Sequence, residues 1–226
     1  MKIDKQMLFK DIKQVPKLII AFLIIAYGMV QMKDVSIGMH AWATLTLGLM
    51  KVTNLNFGQL SQLIGLTIIL ISMIIKIYPG LATLLNMFFI GFFIDLIDPF
   101  PITFVPDSFL LKLIAFYLGI IIFSYGIYLY LSFEMGAGPR DGLMVGLVKL
   151  TGYRVAYVRP AIELTVLIIG AILGGKLGIG TVLISITGGY ILDWIFQWKN
   201  FDAKETNQRI LTDYFITQEK SQSKES

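Results

Sequence analysis

The chain has 226 residues, of which 56% are hydrophobic and 15% charged, with a net charge of +4 and a mean hydropathy of +0.74. A soluble domain of this length needs a polar skin, so this balance excludes one and points to a bilayer as solvent. Cysteine is absent and His40 is the single histidine, so no disulfide frame and no thiol-ligated metal is available, and no cofactor or metal site is expected. No basic-aromatic groove pattern is visible, so nucleic acid is not an expected partner.

Residues 1–17 form a basic N-terminal segment with Lys2, Lys5, Lys10, Lys13 and Lys17. It is too long and too charged for a signal-peptide n-region and no small-residue cleavage site follows, so the next apolar run is expected to be a retained span. The lysines place this end in the cytoplasm by the positive-inside rule. Apolar runs at Leu18–Met32, Leu60–Ile75, Leu81–Leu96, Phe109–Leu131, Ile162–Leu173 and Ile179–Phe196 are each about one membrane thickness at roughly 1.5 Å per helical residue. The stretches 36–50 and 138–150 are apolar but too short to cross. They are read as re-entrant half-length helices, which a membrane tolerates only when they are buried in protein or line a cavity.

With six spans the connection 98–109, which carries no lysine or arginine, faces outward. Arg140, Lys149, Arg154, Arg159 and the tail with Lys199, Lys204 and Arg209 then face inward, with Lys33, Lys51 and Lys176 as exceptions. Eight spans would turn the 98–109 connection inward, a poorer fit. The expected organisation is an all-α, polytopic membrane helix bundle with both termini cytoplasmic. It has a first membrane repeat at 18–98, a second at 99–198 and a cytoplasmic tail at 199–226, whose close "TQEKSQSKES" is expected to be disordered.

The repeat emerges when each residue is aligned, without gaps, with the one 98 positions later. Tyr27-Gly28 falls on Tyr125-Gly126, Gly48-Leu49 on Gly146-Leu147, Lys51 on Lys149 and Thr53 on Thr151. Leu66-Thr67 then falls on Leu164-Thr165, Gly80 on Gly178, Thr83 on Thr181, Gly91 on Gly189 and Asp95 on Asp193. Unrelated apolar helices share leucine readily, but not glycine, threonine, lysine and aspartate in one register. Three spans per repeat would set the halves in opposite orientations, the inverted design of secondary transporters, with a broken helix from each half meeting near the bilayer centre.

Charge inside this frame concentrates at "FEMGAGPRDGLMVGL", residues 133–147. Pro139 suits a first helical turn, the glycines at 136, 138 and 142 permit a sharp entrance, and Gly152 is a plausible stop, so a helix is expected from about Pro139 to Lys149. Its free N–H groups and dipole favour an anion, and Arg140 adds a full charge. Asp141 has three readings: pairing with Arg140, capping the first turn, or carrying a proton. Candidate substrate or coupling residues are therefore Gly138, Pro139, Arg140, Asp141 and Gly142, with Trp42 at the equivalent place in the first repeat. Glu163 follows Arg159 by one helical turn, a spacing that lets the two pair inside a span, while the alternative is that Glu163 carries a proton; both residues join the substrate or coupling candidates. Asp95 and Asp193 are either interfacial or helix-bonding carboxylates or take part in proton coupling. His40 aligns with Gly138 at the start of the first half-helix, and its plainest role is a structural hydrogen bond. Gly91, Gly170, Gly174-Gly175 and Gly188-Gly189 are read as close contacts between helices, and Tyr190, Trp194 and Trp198 as an interfacial aromatic belt.

The string "GAGPRDGLMVGL", followed by Thr151-Gly152 and "GIGT" at 178–181, resembles the YczE/YyaS/YitT-like family of bacterial integral membrane proteins over residues 17 to 198. The resemblance implies a cell-membrane location and a helical membrane fold; it carries no assigned activity. Where the first repeat of that family shows Pro-Trp-Asp, this chain reads Ala41-Trp42-Ala43, so its charged chemistry concentrates in the second repeat.

The expected function is a secondary transporter or exporter of a small, possibly anionic solute. The alternative is a non-transporting membrane factor that binds a lipid or assists a membrane or biosynthetic complex. An intramembrane enzyme is disfavoured, because no nucleophile or metal-ligand motif is present. Expected partners are membrane lipids and an unidentified small-molecule solute, and a homo-oligomer fits as well.

Overall fold

The computed structural model describes residues 2–38, 40–55, 57–175 and 177–216; the expected disordered close of the chain lies outside them. Apart from one short strand pair the described chain is helical, with eight α-helices: α1 Lys5–Asp34, α2 Ala41–Val52, α3 Phe57–Ile74, α4 Leu81–Ile97, α5 Phe109–Leu131, α6 Pro139–Thr151, α7 Val155–Ile172 and α8 Ile179–Trp198. A 3-10 turn at Leu211–Tyr214 precedes a two-residue antiparallel clip in which β2 (Phe215–Ile216) pairs with β1 (Lys2–Ile3). The clip ties the two ends of the described chain together.

The six apolar runs of the sequence map onto α1, α3, α4, α5, α7 and α8. Among the described residues, α1, α5, α7 and α8 are long and apolar enough to cross a membrane. Helices α3 and α4, with 18 and 17 residues, are at the lower limit, and α2 and α6, with 12 and 13, fall well short of it.

Helices α1 and α5 pack against each other and run antiparallel. A Cβ added at Gly28 would stand 2.6 Å from the Phe123 backbone nitrogen and 2.8 Å from the Gly119 carbonyl oxygen. One added at Gly126 would stand 2.6 Å from Ile25 Cγ1 and 3.0 Å from its nitrogen. Backbones this close require glycine, and apolar solvent supplies no other strong force to hold two helices together than such packing. Phe22 and Tyr130 fill the same seam with ring centroids 5.6 Å apart. Around this pair α4 lies on α1 and α8 on α5, while α2 lies along α7 and α6 along α3.

The glycines expected at helix contacts divide. Gly170 meets the Leu45 backbone, Gly175 the Thr44 carbonyl and Gly189 the ring of Pro160. Gly91 departs from expectation, because a Cβ there would touch nothing within 4 Å. Gly174 serves a turn at φ +83°, and Gly188 faces only Ile184 of its own helix.

After α8 the chain folds back over the end of the bundle that carries the N-terminus. The Arg209 guanidinium grips the fully buried Asp11 carboxylate at 2.8 and 3.0 Å, Tyr214 donates to the same carboxylate at 2.6 Å, and Arg209 also donates to the Phe133 carbonyl. Lys149 reaches the Thr206 carbonyl, and Leu211 N–H donates to Pro79. At the opposite end the connection 98–108 is held to α1, where Gln31 exchanges two hydrogen bonds with the Phe104 backbone at 2.7 and 2.9 Å and Lys33 pairs with Asp98.

Candidate functional site

Helix α6 begins where the sequence places it, and its surroundings explain the glycines before it. Gly136 adopts φ +101°, a left-handed conformation that lets it pass close to the Gly80 backbone. Gly138 is the N-cap, Pro139 sits in the first turn and Gly152 ends the helix at φ +71°. A Cβ at Gly138 would stand 2.7 Å from the side chain of Asn86 on α4, so a larger residue there has no room.

The first turn of α6 is wired to α5 and α7. Tyr130, in the last turn of α5, accepts the Gly138 N–H at 3.1 Å and donates its hydroxyl to Asp141 at 2.5 Å. Arg159 of α7 pairs with the other Asp141 oxygen at 3.3 Å. Its guanidinium also lies 5.6 Å from the Phe123 ring centroid and 3.8 Å from Met144 Sδ. Asp141 thus has a cation on one oxygen and a hydroxyl on the other, both charge-assisted contacts.

Arg140 stands differently. Its guanidinium lies 5.1 Å from the centre of the Trp42 ring, a cation–π contact with the first turn of α2, and among the described residues it makes no ion pair. The Trp42 indole N–H donates to Glu163 Oε1 at 3.2 Å. The second oxygen of Glu163 has no hydrogen-bond partner although the residue is only 9% exposed. His40, the N-cap of α2, accepts the Ala43 N–H through Nδ1 at 3.2 Å. The N-terminal turns of α2 and α6 therefore converge on one polar cluster, which also holds Arg140, Asp141, Arg159 and Glu163. Both helix dipoles present their positive ends to it. Asn86 Nδ2, beside Gly138, is a second buried polar atom without a partner.

Of the residues singled out in the sequence, Trp42, Gly138, Pro139, Arg140, Asp141, Gly142, Arg159 and Glu163 meet here. Asp193 does not: it forms a separate clasp with Arg154 and Gln197, both at 2.5 Å. Asp95 is exposed on α4 and takes no part. One expected pairing is replaced: Arg159 turns to Asp141 instead of to Glu163 one turn along its own helix. Of the three readings of Asp141, pairing with Arg140 gives way to contacts with Arg159 and Tyr130. Tyr130, Asn86 and Phe123 escaped sequence reading, since nothing in their spacing links them to residues 138–141. Among the described residues no group of three or more His, Asp or Glu side chains is placed to hold a metal.

A family model described as a family of unknown function, DUF6198, matches residues 12–197. An uncharacterized membrane protein of Bacillus subtilis, YczE, is 35% identical over 172 residues, covering 75% of this chain and 79% of its own. An uncharacterized protein of Haemophilus influenzae is 34% identical over 161 residues, with 71% and 73% covered. The B. subtilis protein YyaS is 28% identical over 175 residues, with 76% and 87% covered. No solved structure matches. With its four long apolar helices, the chain is an integral membrane protein of several spans.

Proposed function

We propose that this chain, which belongs to DUF6198, a family of unknown function, is a secondary transporter that moves a small anionic solute through a chamber formed at the polar cluster where α2 and α6 meet. The observation that carries this reading is the uncommitted polarity of that cluster, where Glu163 Oε2 and, beside Gly138, Asn86 Nδ2 are buried without hydrogen-bond partners. Among the described residues Arg140 makes no ion pair, although the charges of Glu163 and Asp141 act on it, and its guanidinium lies over Trp42 where the N-terminal turns of α2 and α6 meet. A charge in a membrane interior costs roughly 2.5–3.5 kcal/mol on insertion scales and persists where it has a partner or a watered path. A solute oxyanion on Arg140 is such a partner.

The architecture supports transport. Helix starts at 41, 57 and 81 recur 98 residues later at 139, 155 and 179. Contacts recur in the same register: Ala82 N–H donates to the Met135 carbonyl at 2.8 Å, and Gly180 N–H to the Ile37 carbonyl at 2.9 Å. Gly28 packs on Phe123 as Gly126 packs on Ile25. Because the equivalent helices α1 and α5 run antiparallel, we read the halves as inverted repeats. Each has three spans (α1, α3, α4 and α5, α7, α8) and one half-length helix, α2 or α6. Such pairs alternate access by rocking around a site at their junction.

Purified protein in liposomes is expected to pass at least one small anion of a panel of inorganic and carboxylate ions, and Arg140→Ala to lower that flux at least tenfold while eluting as folded protein. A native protein that passes none of them, and that co-purifies with a stoichiometric membrane partner, would favour the non-transporting factor.

A further inference from the structure

We infer that Glu163 is the proton-binding group of this chamber, and that it takes up its proton when an anion settles against Arg140, so that solute and proton move together. The inference rests on the anion-transport reading and adds the coupling ion to it. The two acids of the chamber are treated differently. Asp141 is paired with Arg159 at 3.3 Å and accepts the Tyr130 hydroxyl at 2.5 Å. Glu163 has only the Trp42 N–H on one oxygen, and its other oxygen is buried and bare. Its natural helical neighbour, Arg159, is engaged by Asp141. A buried carboxylate oxygen without a partner is costly, and a proton converts it into a neutral acid whose O–H can donate to a solute oxygen.

The groups that act on Glu163 are Arg159 of its own helix, Arg140 and Asp141 of α6 and Trp42 of α2, with the cap His40 near the two arginines and Tyr130 of α5 behind Asp141. Arg140 and Glu163 share Trp42, one on its ring and one on its N–H. An anion placed on Arg140 consumes the cation's field and adds a like charge near the carboxylate, so proton binding at Glu163 tightens. By linkage, protonation tightens anion binding by the same factor. The step balances simply: one proton from water joins the carboxylate as the anion enters, and both leave on the far side.

Trp42 is a built-in reporter. In a Trp194→Phe/Trp198→Phe background, Trp42 emission in detergent-purified full-length protein is expected to titrate with pH. Nitrate, formate or inorganic phosphate at constant ionic strength should move the midpoint up by about one pH unit, a tenfold change in proton affinity. Glu163→Gln should abolish the titration and leave anion binding independent of pH, whereas His40→Asn, which keeps an N-cap, should preserve both. A titration that survives Glu163→Gln or is lost in His40→Asn would overturn the proton assignment. Anions that bind with no upward shift would overturn the coupling and leave anion transport standing. If none of the three anions changes Trp42 emission, the coupling falls together with the anion reading, even where the proton titration at Glu163 stands.

Discussion

Asp11 has no solvent exposure, and its two oxygens are shared by Arg209 and Tyr214. It is the residue on which the return of the C-terminal segment turns. Asp11→Asn leaves Arg209 half-buried without its counter-charge, a change worth about 3–5 kcal/mol in buried pairs. The expected result is a mobile tail, read as a fall in fluorescence anisotropy of a dye on a cysteine at Lys204. Tyr214 provides a pH handle on the same contact. Burial first, then the hydrogen bond and charge of Asp11, push its hydroxyl up to about 12, with Arg209 opposing. The folded state favours the neutral phenol, so its stabilisation is whole below the ordinary tyrosine value near 10. It is lost as pH rises toward about 12. Anisotropy at Lys204 should therefore fall in that window, and Tyr214→Phe should remove the pH-dependent step.

At the scale of elements, the glycines separate packing from mere composition. Gly28→Val forces a branched side chain onto the backbone of Phe123 and Gly119, which cannot move without parting α1 from α5. Loss of monodisperse protein on extraction is expected. Gly91→Ala meets open space and should extract as well as the native chain or better, since alanine stabilises a helix interior over glycine by about 1 kcal/mol. Both glycines look alike in sequence, because composition does not say which helix face meets a neighbour. What was legible were signals that act locally. Pro139 and Gly152 mark the ends of α6 because one fixes φ and the other accepts a left-handed turn, and apolar runs mark helices because a bilayer demands them. The partners of the charges were not legible. The i to i+4 spacing favours Arg159 with Glu163, but Asp141 of α6 offers a carboxylate already oriented by Tyr130 and takes the arginine. The cost falls on Glu163. Only the folded chain reveals that vacancy.

For the molecule as a whole, the two ends of the described chain lie on one side of the bundle, joined by the β1–β2 clip and the Arg209–Asp11 pair. We place that side in the cytoplasm, following the basic residues of the first 17 positions and of the tail. The stacked, exposed Trp194 and Trp198, with Lys199 3.9 Å over the latter, suit the boundary between acyl chains and water there. On that placement the connection 98–108 is expected to face outward, and the cluster of Arg140, Trp42 and Glu163 to lie between the two surfaces. Because the chain has no cysteine, single cysteines at Val105, Arg140 and Lys204 can be labelled in intact cells and inverted vesicles with impermeant reagents of two sizes. Val105 should react only from outside and Lys204 only from inside, while position 140 reacts slowly with the small reagent and resists the bulky one. A cysteine at 140 that reacts with the bulky reagent as fast as one at 204 would put α6's first turn in bulk cytosol, and no central chamber would remain.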